Sequence, residues 1–217
     1  VSVSSDVCPE IREYERFTTT VVNAYIKPLM SNYLKKLDQK LLKSGFNCPL
    51  LLMTSGGTLT NISSACNNPV RLVESGPAGG AILASSIAED MNLSKVISFD
   101  MGGTTAKITI IENKKAIKAR EFEVDRKARF KKGSGYPLRI PVIEMVEIGA
   151  GGGSIARVNK LEQIITGPDS AGSFPGPACY SNGGSMPTIT DADLVIGKIN
   201  PNNFAGGKIK LSKQLAD

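Results

Sequence analysis

VISFDMGGTTAKITII, residues 96–111, breaks an apolar run with an acidic residue and two adjacent glycines, then resumes its alternation. Residues 96–99 and 106–111 read as strands, because branched and aromatic side chains suit a pleated, half-buried surface. Gly102 and Gly103 predict a tight turn with positive φ, a conformation closed to the flanking β-branched residues. Backbone amides in such a turn converge on a concavity suited to an anion, and the hydroxyls of Thr104 and Thr105 add donors beside it. A carboxylate next to phosphate needs a cation between them. Asp100 is therefore the candidate partner of hydrated Mg²⁺, or the group that orients an attacking water. A plain hairpin would use the same Asp and Gly residues to turn the chain. The segment is not a Walker loop: no G-x-x-x-x-G-K-[ST] occurs, and the residues after the glycines alternate like a strand.

A second glycine cluster lies downstream. VEIGAGGGSIARV places Gly149 and Gly151, Gly152 and Gly153 directly after an apolar strand, where missing side chains would let a flat base or ribose lie on the backbone. The two loops are expected to face each other across one pocket.

Upstream, Ile11, Tyr14, Phe17, Val21, Tyr25, Leu29, Tyr33, Leu34, Leu37 and Leu41 recur at three- and four-residue steps, predicting helix between Pro9 and Gly45. Pro28 lacks the donor and crowds the preceding turn, so two helices are allowed there. Residues 50–53 read as a short buried strand entering a Ser-Gly-Gly loop. PVRLVESGPAGGAILASSIAED predicts a helix of small residues; glycine there costs up to about 1 kcal/mol relative to alanine, so close packing or a ligand is expected. KKAIKAREFEV and residues 140–148 read as further strands. TDADLVIGKI predicts a helix capped by Thr190 or Asp191.

At 217 residues, 41% hydrophobic and 21% charged, the chain is long and apolar enough for a real core. No apolar run approaches the roughly 20 residues needed to cross a bilayer, and the N-terminus lacks a signal-peptide core, so cytoplasm is the expected location and no membrane partner is expected. Histidine is absent, which removes imidazole bases and His-containing metal sites from this chain. Cys8, Cys48, Cys66 and Cys179 show no C-x-x-C spacing and read as reduced thiols, with Cys179 a buried structural one. The formal charge is +6, densest in RKARFKK (126–132), which reads as a solvated loop; no nucleic-acid partner is expected.

In order, ESGPAGGAILASSIAE, FDMGGTTAKITI and IGAGGGSIA resemble the connecting helix, second phosphate loop and adenosine loop of the actin, hexokinase and sugar-kinase superfamily. LLMTSGGTLT, ESGPAGG, FDMGGTTAK, EIGAGGGSIARV, GPDSAGSFPGPACY and PTITDADLVIGKI together resemble the hydantoinase A/oxoprolinase family over about residues 1–210. The resemblance implies an α/β, ribonuclease-H-like (actin/hexokinase-type ATPase) domain with a mixed sheet and flanking helices. Residues 1–48 would be a helical lead-in, and 49–217 the nucleotide-binding domain that forms the second half of an ATPase cleft. Full members carry an earlier D-x-G-G-T loop, absent here, so the segment alone is expected to be inactive. It also implies an ATP-dependent hydrolase of cyclic amides such as hydantoins or 5-oxoproline. Alternatives are a subunit of an ATP-dependent ketone carboxylase and a non-catalytic actin-like module.

By the same likeness, ATP and Mg²⁺ are the cofactors, a cyclic amide or ketone the substrate, and a hydantoinase B-type subunit the partner. Asp100 would be catalytic and hold the metal. Gly102, Gly103, Thr104 and Thr105 would bind phosphate, and Gly149, Gly151, Gly152, Gly153 and Ser154 would lie along the adenosine. Ser55, Gly56, Gly57, Glu74, Ser75, Gly76, Asp169 and Ser170 would line the substrate cleft, although turns and a helix cap at Ser75 need the same residue types. Lys107 stands where many relatives are acidic.

Overall fold

Pro28 does not divide the first long helix. The computed structural model, which describes residues 1–127 and 133–217, shows α1 (Ser4–Val7) and then a single 31-residue helix, α2 (Glu13–Lys43), that runs through Pro28. Contacts on both sides of the proline hold it. The Asn23 side chain donates to the Asn67 carbonyl and accepts from the Val70 amide, Ser31 donates to the Cys66 carbonyl, and Leu34 is fully buried. These tertiary bonds outweigh the one lost backbone donor. The apolar stripe does not pack as its spacing suggests. Tyr14, Phe17, Val21, Tyr25, Leu29 and Tyr33 are all exposed, whereas the buried face carries Thr19, Asn23 and Leu34.

The chain divides into two compact units, Val1–Ser98 with Thr109–Met145, and Phe99–Ile108 with Val146–Asp217. In the first, β1 (Leu51–Met53) and β2 (Leu59–Asn61) pair antiparallel, followed by α3 (Ile62–Asn67), a 3-10 turn at Pro69–Leu72 and the small-residue helix α4 (Ser75–Asp90). The strand at 51–53 is not buried as predicted, since Leu51 at its start is exposed. Ala78 and Ala81 of α4 are buried and pack on Ile143, so the helix uses small side chains to approach its neighbours closely.

The hairpin β3 (Lys95–Met101) and β4 (Ala106–Glu112) begins and ends in the first unit, with its turn end in the second. The two further strands predicted from 114–124 and 140–148 break into pieces. These are β5 (Lys115–Ala116), β6 (Lys118–Ala119), β7 (Phe122–Val124), β8 (Tyr136–Leu138), β9 (Val142–Ile143) and β10 (Val146–Ile148). β5 pairs with β4, β6 with β9 and β7 with β8, all antiparallel. Together they close the first unit's core of Val7, Val70, Leu138, Ile140 and Val142, with Val22 and Ile26 of α2 packed against it. Of the basic run, Arg126 pairs with Glu123; residues 128–132 lie outside the described residues.

In the second unit, β10 lies antiparallel to the turn end of β4, with Glu147 directly opposite Lys107. β11 (Ser154–Val158) and β12 (Ile164–Ser170) form a hairpin, followed by α5 (Ile189–Val195) and the short α6 (Lys213–Ala216). Its core is Cys179, Leu194 and Leu211, flanked by Tyr180 and Phe204, whose rings lie 5.6 Å apart. Among the described residues no helix is long and apolar enough to cross a membrane.

Candidate functional site

The turn between β3 and β4 forms where the sequence places it, by a different means. Gly102 donates its N–H to the Thr105 carbonyl at 2.9 Å, and neither Gly102 nor Gly103 has the positive φ expected from the sequence. The position that needs glycine for proximity is on the facing loop, at Gly151. Gly152 N–H donates to the Gly102 carbonyl (2.9 Å) and Gly153 N–H to the Gly103 carbonyl (2.8 Å), so the two glycine loops touch backbone to backbone. The expectation that they face each other across an open pocket is thereby corrected. A Cβ on Gly151 would lie 2.5 Å from the Thr104 nitrogen and 2.7 Å from the Gly102 oxygen. The bare backbone of the 149–154 loop is thus filled by the neighbouring turn, a reason for glycine that needs no ligand.

Several polar groups of the turn stay exposed. Asp100, Gly103 and Thr104 are exposed and Thr105 is half-buried. Among the described residues, the Asp100 carboxylate, the Gly103 amide and the Thr104 and Thr105 hydroxyls have no hydrogen-bond partner. These are one carboxylate and three donors on a turn held by the facing loop. No group of three or more Cys, Asp or Glu residues gathers as a metal cage among the described residues.

The 149–154 loop is itself tied on every side. Gly151 N–H donates to Ser154 Oγ and Ser154 N–H to the Gly151 carbonyl, both at 2.9 Å, so the buried Ser154 hydroxyl closes its own loop. Gly153 accepts from the Ala171 amide at 2.8 Å, and Ser170 Oγ stands 2.8 Å from where a Gly153 Cβ would be. Ser170 is therefore brought to the loop. Asp169 is not: it makes an exposed ion pair with Arg157 across the β11–β12 hairpin. Gly149 faces Gly167, whose added Cβ would meet its carbonyl at 3.0 Å.

Sequence reasoning missed the role of Thr190 here and misplaced a cap. Thr190 gives both its amide and its hydroxyl to the Gly152 carbonyl, each at 2.8 Å. The N-cap of α5 is Thr188, two residues earlier than expected, and Asp191 completes a capping box by accepting from the Thr188 amide at 2.9 Å. The T-x-x-D spacing at 188–191 was the available signal. Asp191 is buried and also accepts from the Thr188 hydroxyl and the Cys179 amide, at 2.7 and 2.8 Å. Burial and the neighbouring Asp191 carboxylate push the Cys179 thiol up to about 12, so it stays protonated and structural, as the sequence led us to expect.

In the first unit, Ser55 is buried. Its amide donates to the Arg71 carbonyl at 2.8 Å, and its hydroxyl lies 3.0 Å from that carbonyl and 2.9 Å from the Pro141 carbonyl. Gly57 adopts φ +74°, and a Cβ there would meet Ile82 Cδ1 at 2.7 Å. The Ser55–Gly56–Gly57 bend is thus a junction of three segments. Ser55→Ala is expected to cost about 1–2 kcal/mol in urea unfolding, because the buried hydroxyl between the Arg71 and Pro141 carbonyls is lost. Helix α4 starts at Ser75 with Glu74 at the cap position in left-handed conformation and no side-chain cap, so Ser75 does not cap as expected.

The chain is 47% identical over 220 residues to an uncharacterised protein of Methanocaldococcus jannaschii, covering 100% of this chain and 32% of that one. It is 36% identical over 211 residues to the caprolactamase subunit alpha of Pseudomonas jessenii, covering 97% of this chain and 29% of the relative. The crystal structure of that ATP-dependent caprolactamase matches with a TM-score of 0.69 over 100% of this chain and 30% of that one. A nucleotide-free structure of acetone carboxylase, from work on ATP-dependent acetone carboxylation, matches with a TM-score of 0.74 at 28% identity, covering 98% of this chain and 29% of that one. The fold is the expected α/β class, ribonuclease-H-like of the actin/hexokinase type. The chain spans about a third of the length of two of these relatives, the Methanocaldococcus jannaschii protein and the caprolactamase subunit. The profile of the hydantoinase/oxoprolinase family matches residues 16–217, and the chain belongs to that family.

Proposed function

We propose that this chain is part of an ATP-dependent hydrolase of cyclic amides, and that the turn at residues 100–105 receives the phosphates. The observation that carries this reading is the unpaired polar set of that turn. The Asp100 carboxylate, the Gly103 amide and the Thr104 and Thr105 hydroxyls fall within six residues of that turn and are left unpaired, while Gly152 and Gly153 hold the turn by its Gly102 and Gly103 carbonyls. Such a preorganised donor set needs no rearrangement to meet developing negative charge. Family membership and the likeness to a caprolactamase support the substrate class.

The residues fit the group in a specific way. A single exposed carboxylate suits Mg²⁺ that keeps most of its waters and is otherwise held by phosphate oxygens, and it does not suit a metal caged by protein. The Gly102 amide is committed to Thr105, so donation falls to Gly103 and the two threonines. Bound ATP would supply phosphoryl transfer to an amide oxygen, turning a poor electrophile into one that water attacks. Asp100 would orient the hydrated cation, and the threonine hydroxyls would hold phosphate oxygens in place. The 149–154 loop, on which the turn rests, would flank the adenosine with Gly149 and the 151–153 glycines. Ser55, Gly56, Gly57, Glu74, Ser75, Gly76, Asp169 and Ser170 remain candidates for the substrate side. The likeness to a protein named as a subunit supports a second subunit as partner.

The test is ATP turnover by the whole protein that carries this chain, with lactams and hydantoins as substrates. Asp100→Asn is expected to lower cyclic-amide-dependent turnover on the order of 10- to 100-fold. Unaltered turnover rejects the role of Asp100. The acetone carboxylase likeness favours a second reading, a ketone carboxylase subunit. Under that reading ATP consumption requires bicarbonate and a ketone and ignores lactams.

A further inference from the structure

We propose that a polar cavity in the first unit is a subsite for a small oxyanion, a carboxylate or a phosphate. The cavity encloses about 160 Å³ beside the β1–β2 hairpin, α3 and the Pro69–Leu72 turn, and its polar lining is Thr54, Thr58, Thr60, Ser64, Asn68 and Arg71. The proposal is independent of the reading of the 100–105 turn.

The lining is donor-rich and holds no carboxylate. Arg71 contributes the one charge. Among the described residues, the side chains of Thr60, Ser64, Asn68 and Arg71 have no hydrogen-bond or ion-pair partner. Thr54 Oγ1 accepts the Thr58 amide at 3.2 Å and lies 2.9 Å from Thr58 Oγ1. Either hydroxyl can donate in that contact, and the arrangement in which Thr54 donates leaves the Thr58 hydroxyl proton for a further acceptor. A guanidinium fork with three hydroxyls and a carboxamide around a small cavity matches an oxyanion, which offers acceptor lone pairs in several directions.

The frame is rigid. The Ser55 amide and hydroxyl hold the Arg71 carbonyl, the Arg71 amide donates to the Asn68 carbonyl at 3.1 Å, and the Asn68 amide donates to the Ser64 carbonyl at 2.9 Å. The backbone beneath Arg71, Asn68 and Ser64 is thus spent on structure, and their side chains are left for a ligand. A shared frame of this kind lowers the entropic cost of capture.

The test is an amide chemical-shift titration of the ¹⁵N-labelled 217-residue chain, one arm with inorganic phosphate and one with acetate, at constant ionic strength. Saturable shifts at Thr58, Thr60, Ser64, Asn68 and Arg71 in either arm support the subsite, and the arm that saturates at lower concentration identifies the source. Arg71→Gln is expected to weaken that binding about tenfold. The Arg71 side chain is exposed and holds no other group, so the variant should melt like the parent; Thr60→Val is a second variant that removes one donor at constant shape. Absence of saturable shifts in both arms overturns the proposal. So does binding that Arg71→Gln and Thr60→Val leave unchanged.

Discussion

Gly151→Ala is expected to destabilise the chain by about 3 kcal/mol, the upper end of what forcing a single methyl group into packed structure costs. The added Cβ would stand 2.5 Å from the Thr104 nitrogen, 2.7 Å from the Gly102 oxygen and 2.7 Å from the Gly103 carbonyl carbon. All three are backbone atoms. A flexible side chain could swing away, but this turn is bonded to the neighbouring glycines through Gly152 to Gly102 and Gly153 to Gly103. Relief therefore requires breaking those bonds or shifting the whole hairpin end. Gly103→Ala is the matched control. Its Cβ would meet nothing within 4 Å and its φ is not left-handed, so its cost should stay within about 0.5 kcal/mol. Urea unfolding of the two variants checks the contrast; equal midpoints would show that proximity is not why residue 151 is glycine.

Asp191→Ala should cost a similar amount, about 3–4 kcal/mol, through lost hydrogen bonds in place of a clash. Its carboxylate accepts from the Cys179 amide, the Thr188 amide and the Thr188 hydroxyl at 2.7–2.9 Å, and from the Ala178 amide at 3.3 Å. Alanine leaves buried donors without an acceptor, removes the capping box of α5, and loosens the Cys179, Leu194 and Leu211 cluster.

The pH dependence has a definite sign. Burial pushes the Asp191 carboxyl up, but the Cys179 amide and thiol and the Thr188 hydroxyl and amide outweigh it and hold the group below the usual carboxylate range. Its stabilisation is then fully present above the unfolded value of about 3.9 and is lost as pH falls through the lower folded value. The stability gap between the parent and Asp191→Ala should narrow as pH drops below about 4. Thermal melts across that range check it, and a gap that widens in acid would contradict the sign.

How much of this was legible beforehand depends on what kind of interaction decided each element. The hairpin around residues 96–111 was legible because its strands are local and its break is chemical, an Asp and two glycines inside a branched apolar run. The purpose of the glycines was not. A missing side chain in sequence cannot distinguish backbone from ligand as the occupant of the space, and here the occupant of Gly151's space is the Thr104 backbone.

Helix α2 shows the same limit on a larger scale. Its spacing marks a helix, yet the face that packs is the one with Thr19 and Asn23, whose partners, Arg139 and Val70, lie 120 and 47 residues away. Periodicity reports which residues share a face and is silent on which face is covered. The strands after residue 114 failed for a related reason: pieces of two or three residues are set by non-local pairing, and too few residues remain to show a period. The α5 cap was misplaced because two threonines and two aspartates crowd residues 188–193, so the T-x-x-D spacing occurs at both 188–191 and 190–193, and the fold closes the capping box at the first.

The most direct test of the phosphate reading is an amide chemical-shift titration of the labelled chain with ATP and Mg²⁺. The account predicts saturable movement of Gly103, Thr104 and Thr105, with Cys179 and Leu194 in the core of the same unit unmoved, and loss of that movement in Asp100→Asn. Saturable nucleotide binding that leaves residues 103–105 in place, or that Asp100→Asn does not weaken, would contradict it.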